Sequence, residues 1–140
     1  MSFSAYLVGM FDRRFGSISH FQIVNPTKEL LNLWVFFLDT NGTLVDRREE
    51  QLGANSLFEF NADRVRPDHG VVKIFSHENS EKLIPGIVGW QRRIIAGPSR
   101  PGGGIDFAGL AESNLAAIPE NIGLDDFRGL ISRRLDLSEA

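Results

Sequence analysis

The chain predicts an all-β fold, an antiparallel β-sandwich of jelly-roll type followed by a short C-terminal amphipathic helix. Three observations predict it. Between about residues 18 and 96 the apolar stretches are each cut off by a turn signal after roughly ten residues, the strand–turn rhythm of a sandwich. An Asn41-Gly42 step stands between two strand-like runs. Beyond residues 97–104 the apolar spacing changes from alternation to a helical period. Such a sheet stack is a scaffold, and it leaves the activity open.

Residues 1–17 read as an N-terminal extension. Their apolar stretch is short, broken by Gly9, and followed by Asp12, Arg13 and Arg14, without the charged-then-apolar order of a secretion signal. Residues 18–24 form the first expected strand, with Phe21 and Ile23 on one face and His20 and Gln22 on the other. Asn25-Pro26 ends it, because proline cannot donate to a ladder. Residues 30–38 are apolar on both faces: Leu31, Leu33, Val35 and Phe37 alternate with Leu30, Trp34, Phe36 and Leu38. A strand of this kind must be covered on both sides, by a second sheet and then by a helix, a loop or another subunit.

Asn41-Gly42 predicts a hairpin into residues 44–52, whose Asp46 to Glu50 place that strand in water near a sheet edge. Residues 56–61 and 71–76 alternate as further strands. Residues 83–96 form the last long one, with a bend at Pro85 and Gly86. Residues 97–104 read as a Gly-rich connector. In the C-terminal segment, 105–140, Leu124, Phe127, Leu130, Ile131 and Leu135 recur at helical spacing. Asp125 and Asp126 lie early and Arg133 and Arg134 late, a polarity that suits the helix dipole. That helix packs on the sandwich or on a partner subunit. The domain core is 18–96.

Composition narrows the function classes. With 42% hydrophobic and 24% charged residues the chain is a folded protein and not a disordered one. A net charge of −3 supplies no global basic field and argues against nucleic acid as partner. The absence of cysteine removes disulfides, thiolate catalysis and cysteine-type zinc sites. No stretch approaches the ~18 apolar residues that would cross a bilayer, so no membrane insertion is expected and the cytoplasm is the default location.

Candidate chemistry is sparse. His20, His69 and His77 could hold a metal in a β-barrel enzyme, but no HxH or HExxH spacing supports it, and His20 also fits an outer-face polar position. The triple glycine 102–104 is followed by Ile105-Asp106, not by the Lys-Ser/Thr that a phosphate loop needs. No G-x-S-x-G elbow occurs. No catalytic residue and no cofactor is therefore assigned. Arg92 and Arg93 point to opposite faces of a strand, and one of them shares a face with Trp90, a pair suited to stacking on a base, a sugar or a partner side chain. The expected ligand- or partner-binding residues are Trp90, Arg92, Arg93 and His20. The expected self-association surface is Trp34, Phe36 and Leu38, since uncovered apolar area favours association at about 25 cal/mol per Å².

The order of these features resembles the sensory rhodopsin transducer family of small β-sandwich proteins. The resemblance rests on Ser19-His20 and Asn25 around the first strand, the two-sided apolar strand running into Asp39, and Glu59-Phe60. Further along it rests on Ile84-Pro85 leading to Gln91-Arg92, and on Ala111-Glu112-Ser113-Asn114-Leu115-Ala116. It covers about residues 18–117. It implies a cytoplasmic jelly-roll-like sandwich that assembles as a homo-oligomer and binds partners instead of catalysing; ligand or DNA binding also comes with it. A photoreceptor partner is not carried over, because the N-terminal residues, the Gly-rich stretch and the added helix depart from the pattern. The function expected is thus a non-enzymatic, oligomeric, transducer-like protein that binds a protein or small ligand. The alternatives are a carbohydrate- or anion-binding module and a metal-dependent β-barrel enzyme.

Overall fold

The computed structural model describes residues 4–79, 82–84, 86–99, 102 and 105–135. The elements are β1 (Ser4–Asp12), a 3₁₀ turn (Arg14–Gly16), β2 (Ser17–Val24), β3 (Leu31–Leu38), β4 (Leu44–Leu52), β5 (Leu57–Asn61) and β6 (His69–Asn79). They continue through β7 (Lys82–Leu83), β8 (Val88–Ser99), β9 (Ile105–Asn114) and β10 (Ala116–Pro119) to α1 (Glu120–Ser132). Two antiparallel sheets pack face to face. The larger runs β10-β1-β6-β3-β4 with β7 beside β6, and the smaller runs β5-β2-β8-β9. The sandwich is therefore the architecture expected from the strand rhythm.

Strand β3 shows why two layers do not suffice. Its Leu31, Leu33, Val35 and Phe37 enter the core between the sheets, while Phe36 and Leu38 join a second cluster on the far side with Phe75, Leu83, Phe127 and Leu130. Helix α1 lies over that second face. Phe127 and Leu130 are fully buried there, each stabilising by about 1.5–3 kcal/mol. Of the two open choices for covering β3, a helix of the same chain is the one taken. Trp34, Phe36 and Leu38, expected as a surface for self-association, are thus covered in cis: Phe36 and Leu38 are buried, and Trp34 sits edge-on to Phe127 at 6.4 Å.

The helix starts at Glu120 and stops at Ser132, where the apolar spacing predicts 124–135. Pro119 is its N-cap, in the extended conformation that an N-cap takes. Asp126 then lies in the second turn and pairs with Lys73 of β6 at 2.7 Å. The cation at the C-terminal end comes from the sheet: Arg47 of β4 donates to the carbonyls of Ile131 and Arg133, both at 3.0 Å. Its strand does lie at the sheet edge, as its charges predict, but this arginine clasps the helix.

The hairpin between β3 and β4 forms across Asp39–Thr43. Asp39 Oδ1 accepts the N–H groups of Asn41 and Thr43, both at 2.9 Å, so the loop is held by the aspartate as well as by Gly42. Buried Asn25, read only as a strand end, donates through Nδ2 to the carbonyls of Glu29, Leu52 and Gly53 and ties two turns together.

Two boundaries read from the sequence change. Residues 4–12 are not an extension; β1 lies inside the larger sheet, paired with β6 on one side and β10 on the other. Gly9, which broke its apolar pattern, is there because the Gln91 side chain and Leu115 occupy the space a Cβ would fill. Residues 97–99 end β8, and 105–114 form β9, the partner of β8. The Gly-rich stretch therefore joins two strands of one sheet and does not separate a core from a tail. Its residues 100, 101, 103 and 104 lie outside the described residues.

Candidate functional site

The outer face of the smaller sheet faces solvent, and alternation places one residue in two of each strand on it. Two adjacent cross-strand rungs hold its polar groups. In one, Asn61, His20, Arg92 and Glu112 stand side by side across β5, β2, β8 and β9; in the next, Glu59, Gln22, Trp90 and Asn114 do so. Between them lies a depression of about 220 Å³ lined by His20, Gln22, Trp90, Gln91, Arg92 and Glu112. Trp90 is 44% exposed, so much of its ring is available to a ligand. Ile18, Leu57 and Val88 are also exposed on this face and give the polar centre an apolar surround.

The charges of the face are matched within it. Arg92 Nε donates to Glu112 Oε1 at 2.6 Å, and Gln22 Nε2 donates to Glu59 Oε1 at 2.6 Å. His20 Nε2 lies 3.7 Å from the same Glu59 oxygen. The Gln22 amide, then the nearby His20, hold the Glu59 carboxyl below its ordinary value. The result is an aromatic ring beside fixed amide, carboxylate and guanidinium groups with no large net charge.

Three of the four residues expected at a binding site therefore meet: His20, Trp90 and Arg92. The fourth, Arg93, points away into a cleft between the sheets. Its Nε donates to Ser17 Oγ at 3.2 Å and its Nη2 lies 3.5 Å from Asp12 Oδ2. Sequence reasoning missed Gln22, Gln91 and Glu112 as site residues. Alternation alone puts Gln22 on the His20 face without marking it for binding, and Glu112 is set opposite Arg92 only by the pairing of β8 with β9.

The histidines do not converge. His69 and His77 stand eight residues apart on β6, roughly 26 Å along the strand. His77 is buried, with its ring 5.1 Å from Phe127 under α1. His20 is on the other sheet. Among the described residues no group of three or more His, Asp or Glu side chains is placed to hold a metal ion. The three-histidine metal site is thus overturned. Among the described residues no helix is long and apolar enough to cross a membrane.

Asp12, at the end of β1, is 6% exposed and accepts from Arg14 at both oxygens, with Nε at 3.0 Å and Nη2 at 2.8 Å. These bonds, with Arg93 nearby, hold its carboxyl down to about 2 from an ordinary 3.8. A depressed folded pKa gives stability that is complete above the unfolded value and lost as pH falls through the folded one. The window here is from about pH 4 down to about 2, and the loss is about 2 kcal/mol. Urea unfolding at pH 6 and at pH 2.5 measures it. Asp12→Asn removes this part of the acid limb; an unchanged limb in that variant means the Arg14 pair contributes nothing.

No protein-family model and no curated protein matches the chain. Two solved structures are similar to it. A crystal structure of Thermotoga maritima 1070 aligns with a TM-score of 0.60 at 14% identity, over 85% of this chain and 98% of that one. A crystal structure of FlgD from P. aeruginosa aligns with a TM-score of 0.42 at 16% identity, over 86% of this chain and 94% of that one. At such identity the first likeness is one of fold: the chain is a two-sheet antiparallel β-sandwich with a C-terminal helix.

Proposed function

We propose that the chain is a non-catalytic binding protein that takes a neutral, polyhydroxylated small ligand such as a saccharide on the outer face of its smaller sheet. The observation that carries this reading is the meeting of His20, Gln22, Trp90, Arg92 and Glu112 around one depression. An indole face stacks on the apolar side of a sugar ring, while amides and carboxylates take up paired hydroxyls. Arg92 is already neutralised by Glu112, so this face favours an uncharged ligand over an anion. The likeness of residues 18–117 to the sensory rhodopsin transducer family supports the same direction, toward binding in place of catalysis. The chemistry needs no cofactor.

A glycan-binding screen followed by calorimetry tests the proposal. Wild type binds at least one neutral saccharide, and Trp90→Ala weakens that binding by about thirtyfold or more, as loss of a central aromatic anchor does. Arg92→Ala, which also frees Glu112, weakens it too. A wild type blind to the whole panel, or variants that bind as well as it does, ends the reading.

A further inference from the structure

A second depression lies beside the first, inside the rim of the sandwich. Its volume is about 310 Å³, and Asp12, Ser19, Gln91, Arg93, Ala111 and Ser113 are among its lining residues. These residues come from β2, β8 and β9 of the smaller sheet and from the end of β1 of the larger one. The polar groups around it are fixed. Gln91 accepts from Met10 N at 3.0 Å and donates to Ser113 Oγ at 2.9 Å. Ser19 Oγ accepts from Asp12 N at 2.7 Å.

Arg93 makes the longer of the two ion pairs at Asp12. Arg92 is spent on Glu112, and Arg14 occupies both oxygens of Asp12. Arg93 approaches the same carboxylate only at 3.5 Å, and among the described residues no other carboxylate pairs with it. Asp12 is thus shared by two guanidinium groups, with Arg14 at 2.8 Å and Arg93 at the longer 3.5 Å. Of the five N–H donors of its fork, Nε–H is held by Ser17 and Nη2 lies toward Asp12, and the residue lines the cleft. A guanidinium oriented by a neighbouring hydroxyl, in a partly enclosed polar cavity, is the group that takes an oxyanion through paired N–H bonds.

We infer that the inter-sheet cleft at Arg93 is a seat for a small oxyanion, the carboxylate or phosphate of a small-molecule ligand. The site is separate from the outer-face site, although Gln91, Arg92 and Glu112 border both. Asp12 stays ionised beside the cleft, held first by Arg14 and further by Arg93.

Titration with inorganic phosphate and, separately, with acetate at constant ionic strength tests the seat, read by calorimetry and by amide shifts. Wild type shows saturable binding of at least one of the two, and which one binds identifies the anion. Arg93→Gln weakens it by about tenfold or more, the loss expected for a charge-assisted pair. Ala111→Trp keeps every charge but fills the cleft from the β9 residue opposite Arg93, and it abolishes binding even if Arg93→Gln fails to fold. Trp90→Ala leaves anion binding unchanged, so failure of the outer-face reading does not carry over. Absence of saturation by either anion up to about 50 mM, well above the affinity such a pair supplies, overturns the seat. So does binding that survives Ala111→Trp, or that Trp90→Ala weakens as much as Arg93→Gln.

Discussion

Phe127→Ala is expected to cost about 3–5 kcal/mol, the range for deleting a fully buried phenylalanine ring. Its ring centroid lies 5.2 Å from that of Phe75 and 6.2 Å from that of Phe36, and it also meets Trp34 and His77. Truncation leaves a cavity at the centre of the helix–sheet layer that β3 and β6, fixed by their ladders, cannot collapse to fill. Urea unfolding measures the loss. Ile122→Ala on the exposed side of the same helix serves as control and is expected to stay within about 0.5 kcal/mol. A second readout separates local loosening from simple destabilisation. If α1 is what hides Phe36 and Leu38, the variant also gains hydrophobic-dye binding and self-association under native conditions. A loss below about 1 kcal/mol with no change in association means that α1 does not cover this face.

Gly70→Ala is expected to cost about 3 kcal/mol or more, near or above the top of the usual range for overpacking. Gly70 sits near the start of β6, opposite Phe11 of β1 and beside the end of β3. A Cβ there would collide with the carbonyl oxygen of Leu38 and lie 2.9 Å from the Phe11 ring. The first obstacle is backbone, so no rotamer change relieves it, and the β3–β6 ladder must shift. Phe11 is fully buried and edge-on to Phe37 at 5.6 Å, so its ring has little room to retreat. Thermal and urea unfolding measure the cost. A substitution that leaves stability within about 0.5 kcal/mol of wild type contradicts this packing of β6 against β3.

Much of the sandwich could be read in the chain, and the reasons are local. Residues 44–52 are β4 as their charges and the Asn41-Gly42 step require. Phe21 and Ile23 fall on the core side of β2 while His20 and Gln22 fall outside, as alternation demands. What escaped was hidden by glycine. Gly9 broke the pattern of β1, and the glycines of 97–104 made the stretch between β8 and β9 look like the end of the domain. Both strands are completed by distant partners, β1 by β6 and β10, β9 by β8, and no local signal announces a partner.

The candidate site divides in the same way. His20, Trp90 and Arg92 were within reach because each belongs to an alternating strand, and Trp90 and Arg92 share a face by parity alone. Whether they meet His20 is a matter of register between β2 and β8, and Glu112 depends on a strand that alternation did not disclose. Arg93 shows the limit of parity: it correctly predicts a different face from Arg92, but not that this face opens into a cleft beside Asp12.

The amino-acid order by itself determined the all-β class, the hairpin at Asn41-Gly42, the two-faced apolar strand and the amphipathic helix. Each follows from side-chain periodicity and turn chemistry within about a dozen residues. Only the tertiary structure decided that α1 covers Phe36 and Leu38 in cis, that His69 and His77 lie apart, and that Trp90, His20 and Glu112 line one depression. Those outcomes depend on strand order and register, which contacts between residues far apart in the chain select.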